Sequence, residues 1–172
     1  MNKRFPWPAL AAIQHGHFAL RELRPYLGDA LFDAYFKFAF VRNPFDRFVS
    51  YCAFMLRGGG DVFEQRPREA MHHFLFGDPP ERHILFQPQS NLLVGDDGTT
   101  LLTDHVGRVE DMQGSYDGIC AHIGIASCAL DRVNGTRHNA YHRYYDRQLI
   151  DGVSARYAQD LELFGYTFEG LR

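Results

Sequence analysis

Lys37-Phe38-Ala39-Phe40-Val41-Arg42-Asn43-Pro44-Phe45-Asp46-Arg47-Phe48-Val49-Ser50-Tyr51 is the stretch on which the fold turns. Phe38 to Val41 is a short apolar run with aromatic and β-branched residues, the composition of a strand covered on both faces. Asn43 is a good N-cap, and Pro44 stands where the first residue of a helix belongs. Beyond it Phe45, Phe48, Val49 and Cys52 recur at helical spacing, so one side of that helix faces a core. The stretch therefore predicts a buried strand running straight into a helix, with Arg42 at the strand's carboxyl end and beside the helix's positive end. Open α/β sheets bind ligands at that edge, and helix starts favour anions. Ser50 lies eight residues past Arg42, about two helical turns. A guanidinium and an inward hydroxyl so spaced are placed to hold one phosphate together.

The rest of the chain arranges itself around this unit. Ala9 to Leu27 reads as mostly helical with breaks at Gly16 and Pro25, and Asp29 to Tyr35 as a further turn or two of helix. The helix after the strand should end at Gly58-Gly59-Gly60, a mobile joint. Pro67 to Phe76 reads as a second helix with proline at its start. Residues 81–91 show no period and read as a loop on the substrate side. Leu92-Leu93-Val94 and Thr99 to Thr103, around Gly95-Asp96-Asp97-Gly98, predict a hairpin. Asp104 to Val109 reads as another buried strand, and Asp111 as the cap of a helix from Met112 to Ile123. Residues 126–140 are polar and loop-like, and Arg147 to Leu163 reads as one helix closed by Gly165. Helices alternating with short buried strands predict an α/β fold with a largely parallel sheet, in a single domain over residues 1–172.

Composition narrows the functional classes. The 172 residues are 45% hydrophobic and 15% aromatic, enough for a packed core. A formal net charge of −3 excludes a general nucleic-acid or anionic-membrane binder, so an anion site must come from local placement. Cys52, Cys120 and Cys128 form no CxxC pair and no disulfide framework. Cys52 and Cys120 fall in apolar helical patterns and are expected as buried thiols, which favours a reducing compartment. No run is long and apolar enough for a signal peptide or a membrane span, so the expected location is cytoplasmic.

Arg42 to Tyr51 resembles the 3′-phosphate-binding motif of sulfotransferases that use 3′-phosphoadenosine 5′-phosphosulfate (PAPS). In that family the Arg and the Ser eight positions on hold the 3′-phosphate of the nucleotide. The Phe-Val-Arg-Asn-Pro flavour and the second Arg are similar to the carbohydrate branch, Golgi-type and bacterial. The resemblance implies a P-loop-NTPase-like sulfotransferase fold, PAPS as co-substrate without a metal, and a carbohydrate or glycolipid acceptor.

Gln14-His15-Gly16-His17-Phe18 is the second site. Gly16 lets the backbone bend so that a ring projects into a cleft, and a neutral imidazole suits proton abstraction from a hydroxyl near pH 7. The string is similar to the stretch ahead of the 3′-phosphate motif in the uronyl 2-O-sulfotransferases. By that resemblance His17 is the base and His15 a substrate-side helper. Two other readings stand beside it: paired surface histidines, and an adventitious metal pair that lacks third and fourth ligands at fixed spacing.

Asp104 to Met112 resembles the family's Ile-Gly-Arg-Phe-Glu-Asn segment. Glu110 there either orients a base or binds an acceptor hydroxyl, or is a helix-start carboxylate favoured by the dipole. Arg108 reads as solvated. Asn134 to Asn139 matches the place where relatives close a basic loop over the nucleotide. Arg137 is assigned to the 3′-phosphate or adenine side, against the alternative of an exposed turn. Tyr157 to Tyr166 resembles the family's closing segment and reads as packing.

One departure matters. PAPS enzymes open with a strand and a Lys-x-Gly/Ala-x-Thr-Ser loop that holds the 5′-phosphosulfate, and nothing like it precedes Arg42. The expected fold therefore lacks that first strand and phosphate loop. Three alternatives stand: the domain is truncated at its start with the first strand lost, another chain supplies that part, or the chain is a degenerate homologue. Since removing one such donor costs about 3–4 kcal/mol in barrier, a second reading is a catalytically inactive nucleotide- or glycan-binding homologue. A P-loop kinase would need a Walker Lys and a Mg²⁺ carboxylate that the sequence does not show.

Overall fold

The computed structural model describes residues 17–131 and 140–171. In chain order the elements are α1 (Leu20–Leu27), α2 (Asp29–Ala34), β1 (Phe38–Val41), α3 (Pro44–Met55), α4 (Val62–Gln65), α5 (Pro67–His72), α6 (Ser90–Leu93), β2 (His105–Arg108), α7 (Met112–Ile123), α8 (Arg147–Arg156), α9 (Ala158–Phe164), β3 (Tyr166–Thr167) and β4 (Gly170–Leu171). The chain divides into two compact units. Of the described residues, one comprises 17–39 together with Gln89–Val106; the other comprises Phe40–Pro88, 107–131 and 140–171.

Mixed helix and strand is the observed class. Among the described residues the expected largely parallel sheet is a small parallel pair, β1 with β2. β3 and β4 form an antiparallel hairpin with Tyr166 opposite Leu171. Cover of β1 on both faces holds at one end only, since Val41 is 1% exposed and Phe38 is 48% exposed.

In the first unit, α1 starts where the Glu22 carboxylate accepts the Ala19 N–H at 2.8 Å. The expected break at Pro25 does not occur. Pro25 lies inside α1 close to its C-terminal end, where its missing N–H removes one helical hydrogen bond and no more. Phe32 of α2 is buried, with the Arg24 and Lys37 cations 5.1 and 5.2 Å from its ring centre. The expected hairpin at 92–103 reduces to a single antiparallel bridge, Val94 with Leu101. Leu92 and Leu93 belong instead to the one-turn helix α6. Its end is held by Arg21, which donates to the Asn91 and Val94 carbonyls at 2.7 and 3.4 Å. A guanidinium there supplies the donors that a helix C-terminus lacks.

The second unit is organised by α3. Phe45, Phe48, Val49 and Cys52 are all buried, as the helical spacing predicts, and Tyr51 joins them. They pack with Met71, Leu75, Phe86, Leu149 and Val153 in one core. Full burial of side chains of this size contributes about 1.5–3 kcal/mol each. Phe45 meets Tyr145 and Phe168 edge-on at 5.5 and 5.1 Å between ring centres. β2 comes close to β1 and α7 at Gly107, where an added Cβ would fall 2.9 Å from the Phe40 ring and from the Ser115 Cβ. The Asp111 carboxylate accepts the Gly114 N–H at 3.2 Å and caps α7, in agreement with the sequence. The predicted second helix runs as α5 and then a wider π turn over His73–Gly77. The single helix expected over Arg147 to Leu163 is two, α8 and α9. The break falls at Tyr157 (φ −108°, ψ 27°), whose buried hydroxyl donates to the Phe86 carbonyl at 2.8 Å.

A candidate anion site at the strand-to-helix turn

The site begins with Asn43, which is 3% exposed. Its side-chain oxygen accepts the Phe45 N–H at 3.0 Å, the cap of α3. Its side-chain amide donates to the Thr167 carbonyl at 3.0 Å and to the Tyr141 hydroxyl at 3.3 Å. Its backbone N–H donates to Glu110 Oε1 at 2.6 Å. Pro44 then opens the helix with φ already set. The turn after β1 is thus fixed at every polar atom of one residue, and with it the direction in which Arg42 leaves the chain.

Arg42 donates from Nε to Asp46 Oδ2 at 2.6 Å. It lines a cavity of about 250 Å³ together with Ser50. Sequence reasoning assigned Arg42 and Ser50 but gave no role to Arg47 and Arg57, which line the same cavity. The signal was present: positions 47, 50, 54 and 57 recur at intervals of three and four, one face of a helix. Burial lowers the proton affinity of the Arg47 guanidinium and the like charge of Arg42 acts in the same direction, while Tyr157 and Asp160 oppose both. A guanidinium remains charged at neutral pH even so. Three cations therefore converge on one cavity, with Asp46 paired to the first. Such a wall favours an anion through charge-assisted hydrogen bonds, bidentate where the fork geometry permits.

Tyr51 also lines this cavity. Its hydroxyl is buried and has no hydrogen-bond partner among the described residues. Burial pushes its phenol up to about 12, so the group is a donor at neutral pH.

Glu110 serves the same turn from the side. Oε1 accepts from Asn43 and Oε2 accepts from the Tyr166 hydroxyl at 2.8 Å. Burial raises the Tyr166 phenol, and its hydrogen bond to Glu110 adds to the rise. Both Glu110 oxygens have protein donors, so the carboxylate braces the start of α3. Arg108, expected as solvated, instead lies over the Tyr166 ring at 4.9 Å, with Nη1 buried.

His17 is exposed and precedes α1. His15 and Arg137 lie outside the described residues. Among the described residues no group of three or more His, Cys, Asp or Glu is placed to hold a metal ion, and no helix is long and apolar enough to cross a membrane. Cys52 and Cys120 are buried and Cys128 is exposed.

Arg42 at the strand-to-helix turn, Arg47 on α3 and Arg57 just beyond its end thus line one cavity. Residues 8–54 of the chain match the model of the sulfotransferase family. That segment contains His15 and His17 as well as Arg42 and Ser50. The match supports the sulfotransferase family and suggests transfer of a sulfuryl group. No curated protein and no solved structure matches the chain.

Proposed function

We propose that the protein is a PAPS-dependent carbohydrate O-sulfotransferase, related to the uronyl 2-O-sulfotransferases, acting as one P-loop-like domain in the cytoplasm. The observation that carries the reading is the shared cavity of Arg42 and Ser50, inside the segment that matches the sulfotransferase family. Arg42 and Ser50 hold the 3′-phosphate of the donor, with Arg47 and Arg57 adding positive charge. His17 takes the proton of an acceptor hydroxyl, aided by His15. The hydroxyl oxygen bonds to sulfur as the bond from sulfur to the bridging phosphate oxygen breaks. The leaving electron pair goes to adenosine 3′,5′-bisphosphate. Arg137 closes on the nucleotide, and Glu110 keeps the turn in place. No metal takes part.

A second reading is a nucleotide- or glycan-binding homologue without transfer.

Isothermal titration with adenosine 3′,5′-bisphosphate tests the binding half. Arg42→Ala should weaken it by about tenfold or more, the loss of about one charged hydrogen-bonded pair. Equal affinity in both proteins removes the 3′-phosphate assignment. Transfer from PAPS to a panel of uronic-acid glycans tests the rest. Turnover abolished by His17→Ala supports the enzyme, whereas tight nucleotide binding with no turnover on any acceptor favours the second reading.

A further inference from the structure

Two of the chain's three cysteines meet beside α7. Cys120 is buried in the last turn of that helix, and Cys128 is exposed. The helix stops at Gly124, which is left-handed (φ 75°, ψ 30°). There the chain reverses, and the Ile125 N–H donates to the Cys120 carbonyl at 3.0 Å. Residues 125–131 follow, exposed and without regular structure. Gln113, in the first turn of α7, holds them against the helix. It donates from Nε2 to the Cys128 carbonyl at 3.1 Å and accepts the Leu130 N–H at 2.8 Å. The Tyr116 hydroxyl lies 3.6 Å from Cys128 Sγ. Tyr116 stands four residues before Cys120, on the same face of the helix, and its hydroxyl reaches Cys120 Sγ as well. A buried thiol and an exposed one therefore flank a single phenol oxygen.

Cys52 has a different setting. It is 0% exposed in the core, and burial pushes its thiol up; a thiol so placed is inert. Cys128 is open to a solute oxidant, and the product of its oxidation faces a second sulfur across one hydroxyl. A disulfide brings its sulfurs to about 2 Å. With the phenol oxygen between them, the bond closes only when the segment carrying Cys128 slides along α7. That segment is an exposed coil, so the move breaks the hydrogen bonds from Gln113 and Tyr116 and unwinds no helix.

We propose that Cys128 and Cys120 form a reversible oxidation site, at which a hydroperoxide converts the two thiols into one disulfide across the turn at Gly124. The Cys128 sulfur attacks a peroxide oxygen and the O–O bond breaks. With hydrogen peroxide, water leaves and Cys128 becomes a sulfenic acid. The Cys120 thiol gives up its proton and its sulfur attacks that of Cys128. The S–O bond breaks and a second water leaves. Two thiols have then lost two electrons and two protons, and one peroxide has become two waters. A dithiol reductant reverses the change by thiol–disulfide exchange. Disulfides of this kind are transient in a reducing compartment and respond to oxidant there. The site stands independently of the nucleotide reading, and its test uses no activity.

The test treats the folded, reduced wild type with a small excess of hydrogen peroxide and reads mass and linkage. The intact mass should fall by two hydrogens. A peptide map made without reductant should join Cys120 to Cys128 and leave Cys52 free, and dithiothreitol should restore the starting mass. Cys128→Ser changes an exposed residue, should fold as the wild type does, and should lose the reaction entirely. In Cys120→Ala, Cys128 should stop at the sulfenic acid, which dimedone traps. The linkage is read on the wild type, so the outcome does not depend on whether Cys120→Ala folds. Oxygen added to Cys128 with Cys120 still free overturns the proposal. So does a bond that includes Cys52, a bond between two chains, or no change in mass.

Discussion

The backbone N–H of Asn43 donates to Glu110 at 2.6 Å from 67 positions away in sequence. The Tyr166 hydroxyl donates to the other oxygen of the same carboxylate at 2.8 Å. The start of α3, and Arg42 with it, is therefore anchored by a residue that touches the cavity nowhere. In Glu110→Ala the Asn43 N–H loses its acceptor and the Tyr166 hydroxyl keeps only the long bond to the Val41 carbonyl at 3.5 Å, with Asn43 3% and Tyr166 0% exposed. An unsatisfied buried group costs about 1–3 kcal/mol. Denaturant unfolding should show a loss of that size, and nucleotide affinity should fall with it. Tyr166→Phe removes a single donor together with its acceptor demand and should cost less. If Glu110→Ala unfolds at the wild-type midpoint, the carboxylate is not the brace described.

Asp46 holds Arg42 through its Nε at 2.6 Å but sets a negative charge near the place an anion would occupy. The two effects separate in Asp46→Asn, which keeps an oxygen acceptor and removes the charge. Titration at low salt should give severalfold tighter binding of adenosine 3′,5′-bisphosphate. The gain should shrink by about 0.5 M salt, where screening acts within about 4 Å. Weaker binding at every salt concentration would mean that the charge is needed to aim the guanidinium.

Asp146 links the start of α8 to the last residue of α5. It accepts from His72 Nε2 at 2.8 Å and from the Leu149 N–H at 2.9 Å. These bonds, His72 first and the Leu149 N–H second, hold its carboxyl below the ordinary value of 3.8. A depressed carboxyl contributes stability above its unfolded value and loses it as pH falls through the folded one. Asp146→Ala should cost about 1 kcal/mol near neutrality as the loss of a helix cap. The gap to wild type, fully open above pH 3.8, should narrow as the pH drops below that point. A gap that widens in acid would reverse the assignment of sign.

The strand-to-helix unit was legible because its local signals agree: an apolar run, an Asn cap and a Pro at the first helical position all point to one boundary. The same holds for α7, where Asp111 caps a helix with the predicted limits. What escaped depends on distant partners. Leu92-Leu93-Val94 has the composition of a strand. The backbone there coils because Arg21, 70 positions before Asn91, supplies donors to its carbonyls. The break at Tyr157 follows from a hydroxyl that must reach Phe86, 71 positions away, and a helical period passes through it unmarked. Glu110 had two readings as a local residue, and its partners Asn43 and Tyr166 are invisible to spacing. Arg47 and Arg57 were within reach of the period. Arg57, however, lies beyond the last residue of α3 and joins the face only because a tighter turn continues it.

Arg47 and Ser50 are borne by one helix whose far side is locked into the core by Phe45, Phe48, Val49 and Cys52. Their mutual spacing is thereby as rigid as the helix itself. Drift in the surrounding loops would leave that template intact, whereas one residue inserted between them would rotate the guanidinium and the hydroxyl apart by about 100°. Point substitutions along this face can retune what is held; a change in its length would dismantle it.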